Sequence, residues 1–129
     1  MHVQIVNFNL NDLSEDGYRA LGVELAPAYG SLPGLLAKVW LASPETNTYG
    51  GVYLWEGRSA MERYLASDLL KSVISSPHLV GITSSDFAVY EDITRATQPN
   101  VKIFPNAAAG STNRPQSAES YAVPAQWLR

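Results

Sequence analysis

Residues Gly34 to Leu65, GLLAKVWLASPETNTYGGVYLWEGRSAMERYL, hold a strand, a turn, a second strand and the start of a helix in a single run. Pro33 and Gly34 break the chain ahead of Leu35 to Ala42, an apolar segment of strand length. SPETNT is rich in turn formers, and Tyr49 to Trp55 resumes with aromatic and β-branched residues. Ser59 and Glu62 have capping-box spacing, in which hydroxyl and carboxylate each reach a backbone amide that the first helical turn leaves unpaired. Met61, Tyr64, Leu65, Leu69, Leu70 and Val73 then give the helix an apolar stripe as far as Pro77. A break is expected near Ser67, where Asp68 is placed to cap a second segment.

Upstream, Val3 to Asn9 alternates partially and reads as a first strand. Ser14 is a candidate N-cap for a helix from Glu15 to Tyr29, with Tyr18, Leu21, Leu25 and Ala28 at helical spacing. Downstream, Ile82 to Glu91 reads as the last strand. The order β, α, β, β, α, β predicts an α+β, ferredoxin-like fold in which two helices cover one face of a four-stranded antiparallel sheet. The second and third strands are apolar or aromatic at nearly every position, so the other face needs a cover too. An identical subunit is its simplest source, which predicts a homodimer with its two sheets facing each other as a dimeric α+β barrel.

The 129 residues, 46% of them hydrophobic, suffice for one domain, expected over residues 1–97. The C-terminal extension, 98–129, offers a short added strand at Val101 to Phe104, a proline-broken polar linker, and an end in which Trp127 is placed to dock on the partner. A formal charge of −3 without a basic run argues against nucleic acid. With no cysteine there is no disulfide, thiolate nucleophile or Cys-bearing metal site. No apolar stretch approaches the roughly 20 residues of a membrane span. The N-terminal segment lacks the charged region of a signal peptide, so a cytoplasmic protein with no membrane partner is expected. Phosphate-loop, dinucleotide and GxSxG motifs are missing.

With an even turn, hairpin positions that sum to 91 pair directly and share a face. Lys38 then opposes Tyr53, Trp40 opposes Gly51 and Leu36 opposes Trp55. The other face carries Leu35, Ala37, Val39, Leu41, Val52 and Leu54, an expected aliphatic core. An aromatic face with a single lysine suits the wall of a small-molecule pocket. Alternatively, Trp40 and Trp55 fill the barrel between subunits while Lys38 reaches its rim.

Lys38-Val39-Trp40, Gly50-Gly51-Val52-Tyr53, Ser59-Ala60 and Tyr64-Leu65 together resemble the YdhR-type mono-oxygenase family. That resemblance, covering about residues 1–97, implies membership of the dimeric α+β barrels of the antibiotic-biosynthesis mono-oxygenase type. Haem-degrading members of that superfamily use an Asn on the first strand, a Trp on the second helix and a His ten residues later. Here Asn7, Tyr64 and Ile74 stand at those places, with His78 beyond Pro77, so neither haem nor another metal is expected. Other relatives oxygenate phenolic or anthrone-like substrates with no cofactor, using dioxygen directly.

By that resemblance Trp40, Tyr53 and Trp55 line a pocket, and Lys38 acts as oxyanion partner or base. Asn7 or Asn9 hydrogen-bonds a carbonyl, Asp86, Tyr53 and Tyr64 are placed for proton transfer or binding, and His78 lies at the cavity mouth. The expected function is a cofactor-independent mono-oxygenase acting on an aromatic or polyketide-like molecule. A proton-transfer isomerase, lyase or cyclase, and a non-enzymatic dimeric binder, are the alternatives.

Overall fold

In a computed structural model, which describes residues 1–98, the first strand lies in the middle of the sheet. This strand, β1 (His2–Leu10), pairs antiparallel with both β3 (Thr48–Trp55) and β4 (Leu79–Ala88), and β2 (Leu35–Ser43) lies beyond β3. Helices α1 (Glu15–Gly30), α2 (Arg58–Leu65) and α3 (Asp68–Ile74) supply the side chains that cover one face. This is the expected ferredoxin-like α+β fold. Among the described residues no helix is long and apolar enough to cross a membrane. The expected strand at 101–104, the linker and the docking end lie outside the described residues.

The helix signals of the sequence are realised unevenly. Ser14 caps α1, its hydroxyl accepting from the Gly17 amide at 3.0 Å. The Ser59–Glu62 capping box does not form: α2 starts at Arg58 after an extended Gly57, which leaves Ser59 inside the helix, and Glu62 faces Arg58 at 3.7 Å instead. The break between α2 and α3 is present, but its cap is Ser67, which accepts from the Leu70 amide at 3.3 Å, while Asp68 occupies the first helical turn. The last strand ends at Ala88, and Glu91 opens a short helix, α4 (Glu91–Ala96), with its carboxylate against Arg95 at 3.2 Å.

The hairpin register obeys the sum of 91 from Ala37–Leu54 to Ser43–Thr48, including Lys38–Tyr53 and Trp40–Gly51. It slips at Leu36, so Leu35 rather than Leu36 pairs with Trp55 and packs with the aromatic cluster. A bulge adds one residue on one strand and so exchanges the faces of the residues beyond it. The larger correction concerns which face is covered. The helices sit on the aromatic face, where Val6, Phe8, Tyr53 and Trp55 meet Tyr18 and Tyr29 of α1 and Met61 and Tyr64 of α2. The aliphatic face is the open one: Val39 is 56% and Phe87 55% exposed, while Val3, Ile5 and Val52 are half-buried. Only its end is closed, where Leu54 packs with Met1 and Val89.

Gly50 marks the tightest place in the sheet. Its φ is 151°, and a Cβ there would stand 1.8 Å from the Val6 carbonyl oxygen of the neighbouring strand. Backbone cannot yield as a flexible side chain would, so β1 and β3 would have to separate. Gly50→Ala is expected to destabilise the fold by on the order of 3 kcal/mol, read as a lower midpoint in urea denaturation. A midpoint equal to wild type would show that the two strands do not approach this closely.

Candidate active site

Lys38 on β2 points to the helix side of the sheet, because its partner Tyr53 and the next pair, Trp40–Gly51, share that face. Its Nζ lies 3.4 Å from the Tyr29 ring centroid, 3.5 Å from that of Trp40 and 4.7 Å from that of Tyr53. Among the described residues no carboxylate pairs with it. Burial without a counter-charge lowers the Lys38 amine from 10.5 to about 7. Both its protonation states are therefore available near neutrality, which suits a general base.

Three tyrosines line the same cavity as Lys38, and their hydroxyls cluster. Tyr29 and Tyr64 Oη are 2.8 Å apart, and Tyr53 Oη is 3.5 Å from Tyr64 Oη. Burial raises all three above their ordinary value, so they stay neutral and each has a proton to donate. The rings pack tilted with centroids 5.6 to 6.1 Å apart, geometry that fixes the hydroxyls.

A cavity of about 30 Å³ lies here, lined by Lys38, Tyr53, Tyr64, Tyr29 and Trp40 and closed by aliphatic residues such as Ile74 and Ile82. That is room for a water or a diatomic gas, not for a ring system. Beside it, between α1 and the β2–β3 hairpin, runs an open groove of about 400 Å³. Tyr18, Gly22 and Trp40 border both spaces. The indole of Trp40 lies over Gly22 of α1, where an added Cβ would stand 3.4 Å from the ring, an ordinary contact. Trp40 therefore stands between the inner cavity and the outer groove.

The structure brings Lys38, Trp40, Tyr53 and Tyr64 together from the residues singled out in the sequence. It places the others elsewhere. Trp55 is fully buried behind Tyr53, stacked on it at 5.9 Å and donating its indole N–H to Gln4 Oε1 at 3.1 Å, so it backs the wall rather than lining it. Asn7 shares the open face with Ile5 and Val39, because alternate residues of β1 point to opposite sides. Asn9 is held at the strand end, donating to the Asn47 carbonyl at 2.8 Å. Asp86 is on the covered face but its Oδ2 lies 2.6 Å from His2 Nε2, apart from the cavity. His78 lies in the loop before β4, its Nδ1 3.0 Å from the Asn11 carbonyl oxygen.

Tyr29 and Tyr18 join the site although the sequence reading does not single them out for it. They stand eleven positions apart, close to three helical turns, and so share one face of α1. Ala28, expected in that stripe, is exposed. Ile74, at the place of the histidine in the haem-degrading pattern, supplies only carbon, and neither His2 nor His78 lines the space. Among the described residues no cluster of His, Cys, Asp or Glu is arranged to hold a metal ion.

Known proteins place this arrangement in a fold with varied chemistry. A mutant form of SnoaB, a cofactor-independent oxygenase from Streptomyces nogalater, superposes with a TM-score of 0.56 at 20% identity, over 69% of this chain and 93% of that one. A mutant form of MhuD, solved with two manganese protoporphyrin IX molecules per active site, gives 0.57 at 18% identity, over 70% and 95%. NE2512 from Nitrosomonas europaea, a protein of unknown function, gives 0.60 at 11%, over 69% and 88%. Identities this low establish the shared fold and leave the chemistry to each protein's own residues. No curated protein matches the sequence. Residues 3–100 do match the family described as "Putative mono-oxygenase ydhR", and since these are most of the chain, the protein belongs to that family.

Proposed function

We propose that this protein is a cofactor-independent mono-oxygenase that works as a homodimer on an electron-rich aromatic small molecule, a phenol or an anthrone-like methylene compound. The observation that supports it is the Lys38 amine held among aromatic rings in a cavity that three neutral tyrosines also line. A planar substrate enters by the outer groove, displaces the Trp40 indole and presents its acidic C–H or O–H to Nζ. The amine takes the proton, and the bonding pair stays on the substrate as an enolate or phenolate. The new ammonium and a tyrosine O–H stabilise that anion inside a water-poor space, where such contacts are strongest.

The anion passes one electron to dioxygen, and the radical pair combines to a C–O bond. Lys38 returns its proton to the resulting peroxide anion. For a methylene substrate, loss of water then leaves a ketone, so that one dioxygen gives one carbonyl oxygen and one water. The family assignment and the fold shared with SnoaB support this reading.

An oxygen electrode tests it. Anthrone-type and phenolic probes should drive enzyme-dependent oxygen consumption, one dioxygen per product, and conversion should stop in an anaerobic chamber. Conversion at an unchanged rate without oxygen would replace this proposal with a proton-transfer reaction at the same lysine.

A further inference from the structure

We propose that Lys38 also captures carbonyl compounds covalently, forming an imine with aromatic aldehydes seated between the outer groove and the inner cavity. The geometry carries this. Lys38 lines a space of about 30 Å³, which accepts a formyl group, and the groove of about 400 Å³ beyond Trp40 accepts the ring that bears it. The aromatic rings at 3.4 and 3.5 Å hold the amine in place, and no carboxylate ties it as an ammonium among the described residues. Tyr29 and Tyr64 line the same cavity, and their hydroxyl pair, 2.8 Å apart, offers it both a proton donor and an acceptor.

The step balances without any further reactant. The nitrogen lone pair attacks the carbonyl carbon, and the C=O π pair moves to oxygen, which takes a proton from a tyrosine hydroxyl. The nitrogen loses a proton back to that tyrosine. The tyrosine hydroxyl then gives its proton to the carbinol oxygen, water departs as the nitrogen lone pair forms C=N, and the resulting iminium returns its N–H proton to the tyrosinate. The net change is amine plus aldehyde to imine plus water. Such chemistry needs a neutral amine, and burial brings Lys38 to about 7. An ordinary lysine is only about one part in 2,500 neutral at pH 7.

The chain has three lysines, Lys38, Lys71 and Lys102, so labelling is easily assigned. The full-length protein is incubated with benzaldehyde at pH 7 without dioxygen, the imine is reduced with borohydride, and the benzylated lysine is located by peptide mass mapping. Lys38 is expected to label at least tenfold faster than Lys71, and 8 M urea should erase the difference. Lys38→Met should lose the fast label while Lys71 labels at its wild-type rate, with a wild-type circular dichroism spectrum reporting that the variant is folded. Equal labelling of Lys38 and Lys71 in the native protein overturns the proposal, as does a preference that survives urea. Because dioxygen is absent throughout, failure of the oxygenase reading and failure of this one are separate results.

Discussion

Lys38→Met is expected to stabilise the protein at pH 7, and the gain should vanish as the pH approaches 10.5. Methionine keeps the volume and length of the side chain while removing the amine, so the surrounding rings keep their contacts. The folded amine is lowered to about 7, whereas an unfolded lysine titrates near 10.5. Between these two values the unfolded chain binds a proton that the folded chain does not, and wild-type stability therefore rises with pH across that window. At and below pH 7 wild type carries the full penalty of the buried amine. The shift corresponds to about 5 kcal/mol at most, and the cation–π contacts with Tyr29, Trp40 and Tyr53 offset about 1 to 2 kcal/mol of it.

Above pH 10 the buried tyrosines act in the opposite sense. Tyr18 is raised to about 12, and Tyr29, Tyr53 and Tyr64 are also raised, so ionising the unfolded chain there lowers stability in both proteins. Urea denaturation of wild type and variant at pH 6, 7, 8, 9 and 10 separates the two effects, because the tyrosine contribution cancels in the difference. A gap of about 3 kcal/mol that closes with rising pH is the expected result. A gap independent of pH would mean that the amine is solvated, and with it the base in the oxygenation scheme would be lost. The same variant should lose the oxygen consumption that depends on Lys38.

The hairpin is legible because two-residue periodicity separates faces, and a connection made of one short helical turn and a left-handed Asn47 preserves the register that puts Lys38 opposite Tyr53. What periodicity does not carry is which face the helices cover. Both faces of β2 and β3 are apolar, and the choice is made by Tyr18, Tyr29, Met61 and Tyr64, residues far away in sequence. Trp55 shows the same limit: alternation assigns its side, yet its depth depends on Tyr53 in front of it and Gln4 beside it. Asn7 enters the candidate site through a resemblance, whereas its own alternation with buried Val6 and Phe8 already assigns it to the other side. The capping box fails for a local reason, since α2 begins at Arg58 and so takes Ser59 inside the helix, past the cap position.

The open face of the sheet leads to the second large effect: Ile5→Glu combined with Val52→Glu is expected to convert a dimer to a monomer. The strand registers lay this face out in rows. Phe87, Val3, Leu54 and Ala37 form one row, and Ser85, Ile5, Val52 and Val39 form the next. Four strands about 4.8 Å apart and roughly eight residues long, at about 3.3 Å per residue, present about 500 Å². Two copies meeting face to face therefore bury roughly 1,000 Å², the lower end of what a specific interface needs. Ile5 and Val52 are paired neighbours in the middle of that area.

The twofold axis of such a dimer brings four carboxylates together on a face whose rows carry no cation among the described residues, so association should weaken by about a thousandfold or more. Light scattering at micromolar concentration should give wild type the mass of two 14.0 kDa chains and the variant the mass of one. Ser72→Glu, on an exposed helix position, should remain dimeric. A wild-type monomer would remove the need for a covering sheet, and a dimeric variant would place the contact elsewhere. Since Lys38 projects from the opposite side of the sheet, the monomeric variant should keep its fold and the reactivity of that lysine. Loss of both would mean that the second subunit holds the helices over the cavity as well as covering the sheet.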